Sequence, residues 1–492
     1  MTASSLKKRR KPIPCRRANR LAAALCAGLT GLSGCSDEAP LPNREPPGWA
    51  DDVALKAPVD LNADPHILEI NLTATPSTFE VWSGSKPTPV YSFDGSVPGP
   101  LIELSAGDRL IVHFKNELPE PTTIHWHGLR INADMDGVPE HSQPEVPPGG
   151  TFDYDFIVPD AGLFWYHPHF NSSAQVGAGL YGPLLVRPVD GSEDAAPKDE
   201  VVLVLSDIGI NDDGSLVDPK SGGELGALFG SEGNFLLVNG RWLPTLKVRS
   251  GITQRWRLVN AARNRYFQLA LPGAKFTRIG NDAGLLEKPV EESKLLLTPG
   301  QRADVLVTPS AEQGTLQFLM WLPFDRGPTS TDHRPEQLVM RLHLTQDPPG
   351  QPTAATFARE IKPIDITQAT QVNVGLTQMK DQDGNIVLGI NGQTYANLPP
   401  FPAKIGETQV WSIGNQMDWS HPFHLHGFFF QVLDENGAPE QPLAWNDTID
   451  VPFHSTRKIA VRFDERPGMW MFHCHILDHA DAGMMGMIHL MP

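Results

Sequence analysis

The chain has 492 residues, room for about three domains of ordinary size. Its formal net charge is −17, and setting aside the first 34 residues, with eight basic and no acidic side chains, takes it to −25. So acidic a body argues against nucleic acid and anionic membrane as partners, while the absence of heptads and long amphipathic periods excludes coiled coils and helical bundles.

Lys7, Lys8, Arg9, Arg10, Lys11, Arg16, Arg17 and Arg20 form a basic leader, and residues 21–34 are an apolar stretch too short to span a membrane. Residues 1–34 are therefore expected to be an export signal. Leu32-Ser33-Gly34-Cys35 resembles the cleavage box of bacterial lipoproteins, which would leave Cys35 as a lipidated first residue. An ordinary signal peptide is the alternative, and Arg16-Arg17 also resembles part of a twin-arginine signal. The expected location is the periplasm or the outer membrane, with a lipid anchor at Cys35. Residues 35–64, rich in Pro, Asp and Ala, read as a tether. After cleavage only Cys35 and Cys474 remain of the 4 cysteines. In an exported chain without a disulfide, a thiol flanked by histidines reads as a metal ligand.

From about residue 65 the chain repeats itself three times. A turn dipeptide opens each copy: Asp94-Gly95, Asn239-Gly240 and Asn391-Gly392. An alternating strand then runs from Gly107 to Asn116, Gly251 to Asn260 and Gly406 to Asn415. Beyond it lie His125, Gln268 and His424, each with a same-face neighbour two residues on: His127, Ala270 and His426. Later in each copy a glycine precedes His167, Leu319 or His473 by five residues. With 44 glycines and 46 prolines between short strands, this predicts three β-sandwich domains, at 65–194, 195–360 and 361–492. Histidines at four matching places in copies one and three, and at none in copy two, mark ligands rather than packing. The middle copy reads as a spacer.

Four His-X-His pairs result: His125/His127, His167/His169, His424/His426 and His473/His475. On a strand each pair faces one way. Burying eight imidazoles without partners would be costly, and metal ions would employ them. Cys474 points away from His473 and His475. With His421, His479 and a following Met484 it forms the His₂Cys-plus-Met pattern of a blue-copper site. Zinc, the simpler alternative, needs fewer histidines.

H-W-H-G at 125–128, W-Y-H-P-H at 165–169, H-P-F-H-L-H-G at 421–427 and H-C-H-I-L-D-H with Gly483-Met484 together resemble the copper motifs of the multicopper oxidases, and in detail a bacterial three-domain laccase. The resemblance implies an all-β chain of three tandem cupredoxin-like Greek-key sandwiches holding four copper ions. Cys474, His421, His479 and axial Met484 would hold the type 1 copper, and His125 and His424 the type 2. His127, His167 and His475 would hold one type 3 copper, and His169, His426 and His473 the other. A small reducing substrate, a phenol or aromatic amine, would give electrons through Cys474, and O₂ would be reduced to water. Metallo-oxidase action on Cu(I), Fe(II) or Mn(II), a copper-binding protein without catalysis and a copper nitrite reductase are the alternatives, and a monomer is expected. Protons require carboxylates. Asp478, where bacterial relatives usually carry Glu, and Asp136, which also fits a turn, are the relay candidates. Asp447 reads as a supporting residue.

Overall fold

The three turn dipeptides bend the chain through positive φ at both residues, 51° and 69° at Asp94-Gly95, 48° and 73° at Asn239-Gly240, 52° and 74° at Asn391-Gly392. Asn, Asp and Gly tolerate this conformation, and it joins antiparallel strands with their natural twist. Each turn is pinned to the neighbouring strand by its side chain. Thr73 N–H donates to Asp94 Oδ1 at 2.9 Å, and Val204 and Gly375 N–H donate to Asn239 and Asn391 Oδ1 at 2.6 Å. The asparagines ending the next strand repeat a second pattern. The Asn116 and Asn260 side chains each donate to two carbonyls, those of Glu120 and Val146 and of Arg265 and Leu297, and the Asn415 side chain to three, those of Trp419, Val451 and Pro452. Each thereby satisfies a bend that would otherwise leave buried carbonyls unpaired.

This computed structural model describes residues 53–492 except 83–84, 190, 192–196, 198, 219–225, 227, 329–333, 354–358, 381–383 and 385. The export signal, Cys35, most of the tether and the expected boundary at 194/195 lie outside the described residues.

The described chain is nearly all β, arranged as six sheets in three sandwiches. In the first sheet of each, two strands distant in sequence pair parallel: Ile67–Phe79 with Arg109–Asn116, Glu200–Ile208 with Gln254–Asn260, and Thr370–Lys380 with Thr408–Asn415. The second sheets repeat the device with Ile102–Ser105 beside Gly182–Arg187, Thr245–Val248 beside Gln337–Leu344, and Phe401–Lys404 beside Met485–Met491. Parallel neighbours need crossovers, and here the chain crosses from sheet to sheet, as expected of a cupredoxin-like Greek key. Each sandwich closes on its own core, around Trp126 and Tyr154, Trp256 and Trp321, or Trp411 and Trp470. Burying each such side chain contributes about 2–3 kcal/mol. A further cluster joins all three: Leu163, Trp165 and Leu185 meet Val202, Val204 and Val259 and, from the third copy, Leu477. It fixes the seam between the first and third sandwiches, where the histidines converge.

Candidate metal centre

The strand His125–His127 pairs antiparallel with Gly162–His167 and sets His125 opposite His167. In the third sandwich His421–Leu425 pairs with Gly468–Cys474, which sets His424 opposite His473. Opposed residues share a face, so each sandwich gathers its His-X-His pairs on one side. The two faces then stack: His125 lies on His426 and His127 on His424, ring centroids 3.8 Å apart in both. His473 Nε2 comes within 3.1 Å of His426 Nε2, and His475 Nε2 within 3.2 Å of His127 Nδ1. The donor atoms of His169, His426 and His473 lie within 4.8 Å of one another. So do those of His125, His127 and His167, and of His125, His424 and His426. Eight imidazoles thus form one cluster that neither sandwich builds alone.

The ring nitrogens show what the cluster is for. Nδ1 of His125, His167, His424 and His473 faces the carbonyl of Asp136, Pro168, Asp447 and Cys474 respectively, at 2.8–2.9 Å. A carbonyl only accepts, so each Nδ1 carries the proton and Nε2 presents a lone pair. Nε2 of His125, His167 and His424 is buried and has no hydrogen-bond partner among the described residues. Bare buried lone pairs, and the His473 and His426 Nε2 atoms 3.1 Å apart with both protons held on Nδ1, are costly unless a cation is shared. Burial holds His127, His167, His169, His426 and His475 well below the ordinary imidazole range and His473 at about 3. These rings are neutral at pH 7, the form that binds metal, and imidazole suits copper. The donor set therefore fits the copper ions that the family motifs imply.

Two carboxylates orient the rings. Asp136 Oδ2 accepts from His426 Nδ1 at 2.8 Å while its Oδ1 lies 3.3 Å from His125 Nδ1. Burial would raise this carboxyl, but the His426 and His125 rings hold it well below the usual range. Gly137 makes the bend possible: its φ is 79°, and a Cβ there would strike the Ile124 carbonyl. Asp447 approaches His127 Nε2 at 3.4 Å and is itself gripped by Arg302 of the middle sandwich.

On the opposite face of the strand Gly468–Cys474, the Cys474 Sγ lies 3.4 Å from His421 Nδ1 and 3.6 Å from His479 Nδ1, themselves 3.1 Å apart. All three residues are buried. His479 Nε2–H donates to the Leu228 carbonyl at 3.0 Å, which leaves Nδ1 free to bind metal. Met484 is fully buried beside them, its carbonyl accepting the Cys474 N–H at 3.1 Å. Burial pushes the Cys474 thiol up, so it would become a thiolate only with a cation bound in place of its proton.

Asp478 is placed differently. It sits on the short helix Leu477–Asp481, where Ser173 Oγ donates to its Oδ1 at 2.8 Å and Ser231 N–H to its Oδ2 at 3.0 Å. Burial raises its pKa against the opposing pull of Arg263. Its oxygens thus engage the first and second sandwiches rather than a cluster histidine. Sequence reasoning missed the middle copy's share of the site: Arg302, Asp282 and the Leu228 carbonyl. An arginine opening the strand Arg302–Val307, which the structure shows to be wholly buried, stands beside an apolar run in the sequence and was the available signal.

Family models described as "Multicopper oxidase" match residues 76–191, 199–339 and 360–491. A multicopper oxidase of Mycobacterium tuberculosis is 32% identical over 424 residues, covering 78% of this chain and 80% of the relative. A laccase of Bacillus subtilis is 28% identical, covering 77% and 82%. Among solved structures, a multicopper oxidase of Campylobacter jejuni described as a metallo-oxidase superposes with a TM-score of 0.78 at 28% identity, covering 89% of this chain and 94% of that one. A laccase of Pediococcus acidilactici gives 0.78 at 29%, covering 91% and 95%. With three matching domains and a relative of this identity and coverage, the chain belongs to the multicopper oxidases and is a bacterial laccase-like, copper-dependent oxidoreductase that uses O₂.

Proposed function

We propose that the thiol centre accepts electrons singly from a phenol or aromatic amine, and that the imidazole cluster spends four of them, with four protons, on turning one O₂ into two waters. One observation carries this reading. The Cys474 thiol faces His421 and His479, while its two chain neighbours, His473 and His475, belong to the cluster. His473 Nδ1–H also donates to the Cys474 carbonyl at 2.9 Å, a second link between the centres. Copper bound at both centres would supply one-electron exchange with little rearrangement at the thiolate and multi-electron oxygen chemistry at the cluster.

The residues that would hold it are His421, Cys474, His479 and Met484 for one ion, and His125 with His424 for a second. His127, His167 and His475 would hold a third, and His169, His426 and His473 a fourth. Asp136 and Asp447 keep the rings aimed, and the surrounding protein excludes water. Asp136, held ionised, accepts and orients. Asp478, raised by burial and bonded to Ser173 Oγ, is the better proton store.

Around the thiol centre Phe229 packs on Trp419 with ring centroids 5.1 Å apart, an aromatic rim that suits arene reductants. Oxidation of Cu(I), Fe(II) or Mn(II) is the second reading, favoured by the likeness to the Campylobacter metallo-oxidase. Purified protein should hold about four coppers and absorb strongly in the red, and Cys474→Ser should keep three and lose the colour. Oxygen uptake against a phenol panel and against the three metal ions, with peroxide assayed alongside, separates the substrates. A colourless protein, or peroxide as the main product, would refute the proposal.

A further inference from the structure

The strand Gly468–Cys474 pairs antiparallel with Met485–Met491, setting Met469 opposite His489, Met471 opposite Met487 and His473 opposite Met485. Opposed residues project to the same face and alternate residues return to it. One face of this hairpin therefore carries His489, four thioethers and His473 in file. The other carries Trp470, Phe472 and Cys474 into the third core. Met469, Met471, Met485 and Met487 form their own cluster with Val138 and Tyr395. Val138 lies two residues beyond Asp136, so the file runs along the seam between the first and third sandwiches. His489 at its outer end is exposed, Met469 is half-buried, Met471 and Met487 are buried, and His473 at its inner end is a member of the imidazole cluster.

Apolar packing alone does not call for this composition. Methionine loses more side-chain entropy on ordering than leucine or isoleucine, and it specifies a core less sharply. Yet four of the chain's 12 methionines stand on this one face. Thioether sulfur is a soft, uncharged donor that suits Cu(I) and not hard cations such as magnesium or calcium. Cross-strand neighbours have Cβ atoms about 4.5–5.5 Å apart, close enough for two thioethers to reach one ion. Of the eight cluster histidines, all but His169 are buried, so an ion destined for them must travel through protein.

We propose that this face is a binding site for Cu(I), held by Met469, Met471 and Met487 with His489 at the mouth, and that it passes the ion by way of Met485 to His473. Transfer is ligand exchange, one donor replacing another with no change of charge on the metal. The site's purpose rests on the reading that the imidazole cluster holds copper; its ligand preference does not.

Ag(I) shares the charge and softness of Cu(I) and leaves the thiol centre oxidised, which makes it the probe. Copper-loaded full-length protein with ¹³C-methyl methionine is titrated with Ag(I) and followed by methyl NMR. Resonances of Met469, Met471 and Met487 should shift, saturating at one ion per chain, while Met379 on another sheet stays put. Met471→Leu/Met487→Leu, which conserves volume, should weaken Ag(I) binding at least about tenfold with the blue absorption intact. It should also slow refilling of copper-free protein by Cu(I) and leave filling by Cu(II) unchanged. Absent shifts, equal shifts at Met379, or variant affinity within about twofold of the original overturns the site. Should the double variant lose its colour, His489→Ala replaces it, and unchanged Ag(I) affinity there overturns the site as well. A protein that holds no copper would instead refute the proposed function, while the silver titration would still report on the methionines.

Discussion

Arg302→Met tests how the middle sandwich supports a centre to which it lends no histidine among the described residues. The guanidinium is fully buried and donates to all three sandwiches: to Leu163 O at 3.0 Å, to Gly300 O at 3.0 Å and Asp282 O at 2.8 Å, and to both Asp447 oxygens, the Oδ1 at 2.8 Å. Removing it leaves Asp447 a buried anion beside Asp282, whose carboxyl burial and Asp447 already push up to about 7. Breaking a buried ion pair from one side costs about 3–5 kcal/mol. Three carbonyls losing a donor add about 1 kcal/mol each before relaxation. The expected cost is therefore at least about 4 kcal/mol, read from urea unfolding of copper-free protein. Copper retention should fall as well, because the Asp447 carbonyl fixes His424 Nδ1. Combining the change with Asp447→Asn removes the stranded charge and should recover about 2–3 kcal/mol as a coupling energy. A cost below about 1 kcal/mol for the single variant, or strict additivity in the cycle, would refute the assignment.

Asp136→Asn keeps the shape but replaces the anion that holds His426 and His125; copper retained against a chelator should drop about 10–100-fold, and unchanged retention would dismiss the orienting role. Gly137→Ala should destabilise the same turn, because its φ of 79° and the Ile124 carbonyl leave no room for a methyl; an unchanged urea midpoint would contradict this. Asp450, bonded to Tyr266 Oη–H at 2.8 Å, is pushed by burial from 3.8 to about 6. An acid with a raised folded pKa favours the folded state when protonated, so its stabilising effect fades as pH rises from about 4 to about 6. The window corresponds to at most about 3 kcal/mol. Asp450→Asn in copper-free protein should gain stability relative to the original chain across that window, and a flat difference between pH 4 and pH 8 would contradict the linkage.

What the sequence reveals of the site follows from distance along the chain. The His-X-His pairs and His473-Cys474-His475 are local, and strand alternation alone separates the thiol from its neighbours. The repeat is equally legible, because Asp-Gly or Asn-Gly turns and strand-ending asparagines recur with the same kinds of hydrogen bond. Asp136 can be read as a turn residue or a relay, since its partner His426 lies 290 positions away. Asp478 reads as a proton donor to the cluster because it adjoins His479. Its bonds to Ser173 and Ser231 depend on how the sandwiches pack, which no local pattern encodes.

The middle sandwich illustrates the limit most clearly. Gln268, Ala270, Leu319 and Trp321 stand where the other copies have histidines, and a spacer is the natural inference. A spacer would need only to hold its neighbours apart. This one reaches into both centres from positions that are not the vacated ones: Arg302 steadies Asp447, and thereby His424 and His127, and the Leu228 carbonyl sets the tautomer of His479. The reason is physical. Two histidine faces stacked at 3.8 Å turn inward bare nitrogens that find no partner among the described residues, so nothing in the metal-free cluster itself bonds the faces there. Something outside the two faces must hold them together in the metal-free chain. The middle sandwich, bound to the first through the Leu163 carbonyl and to the third through Asp447, can do this with no ligand of its own among the described residues. The second copy thus supports both centres through a buried arginine and a backbone carbonyl.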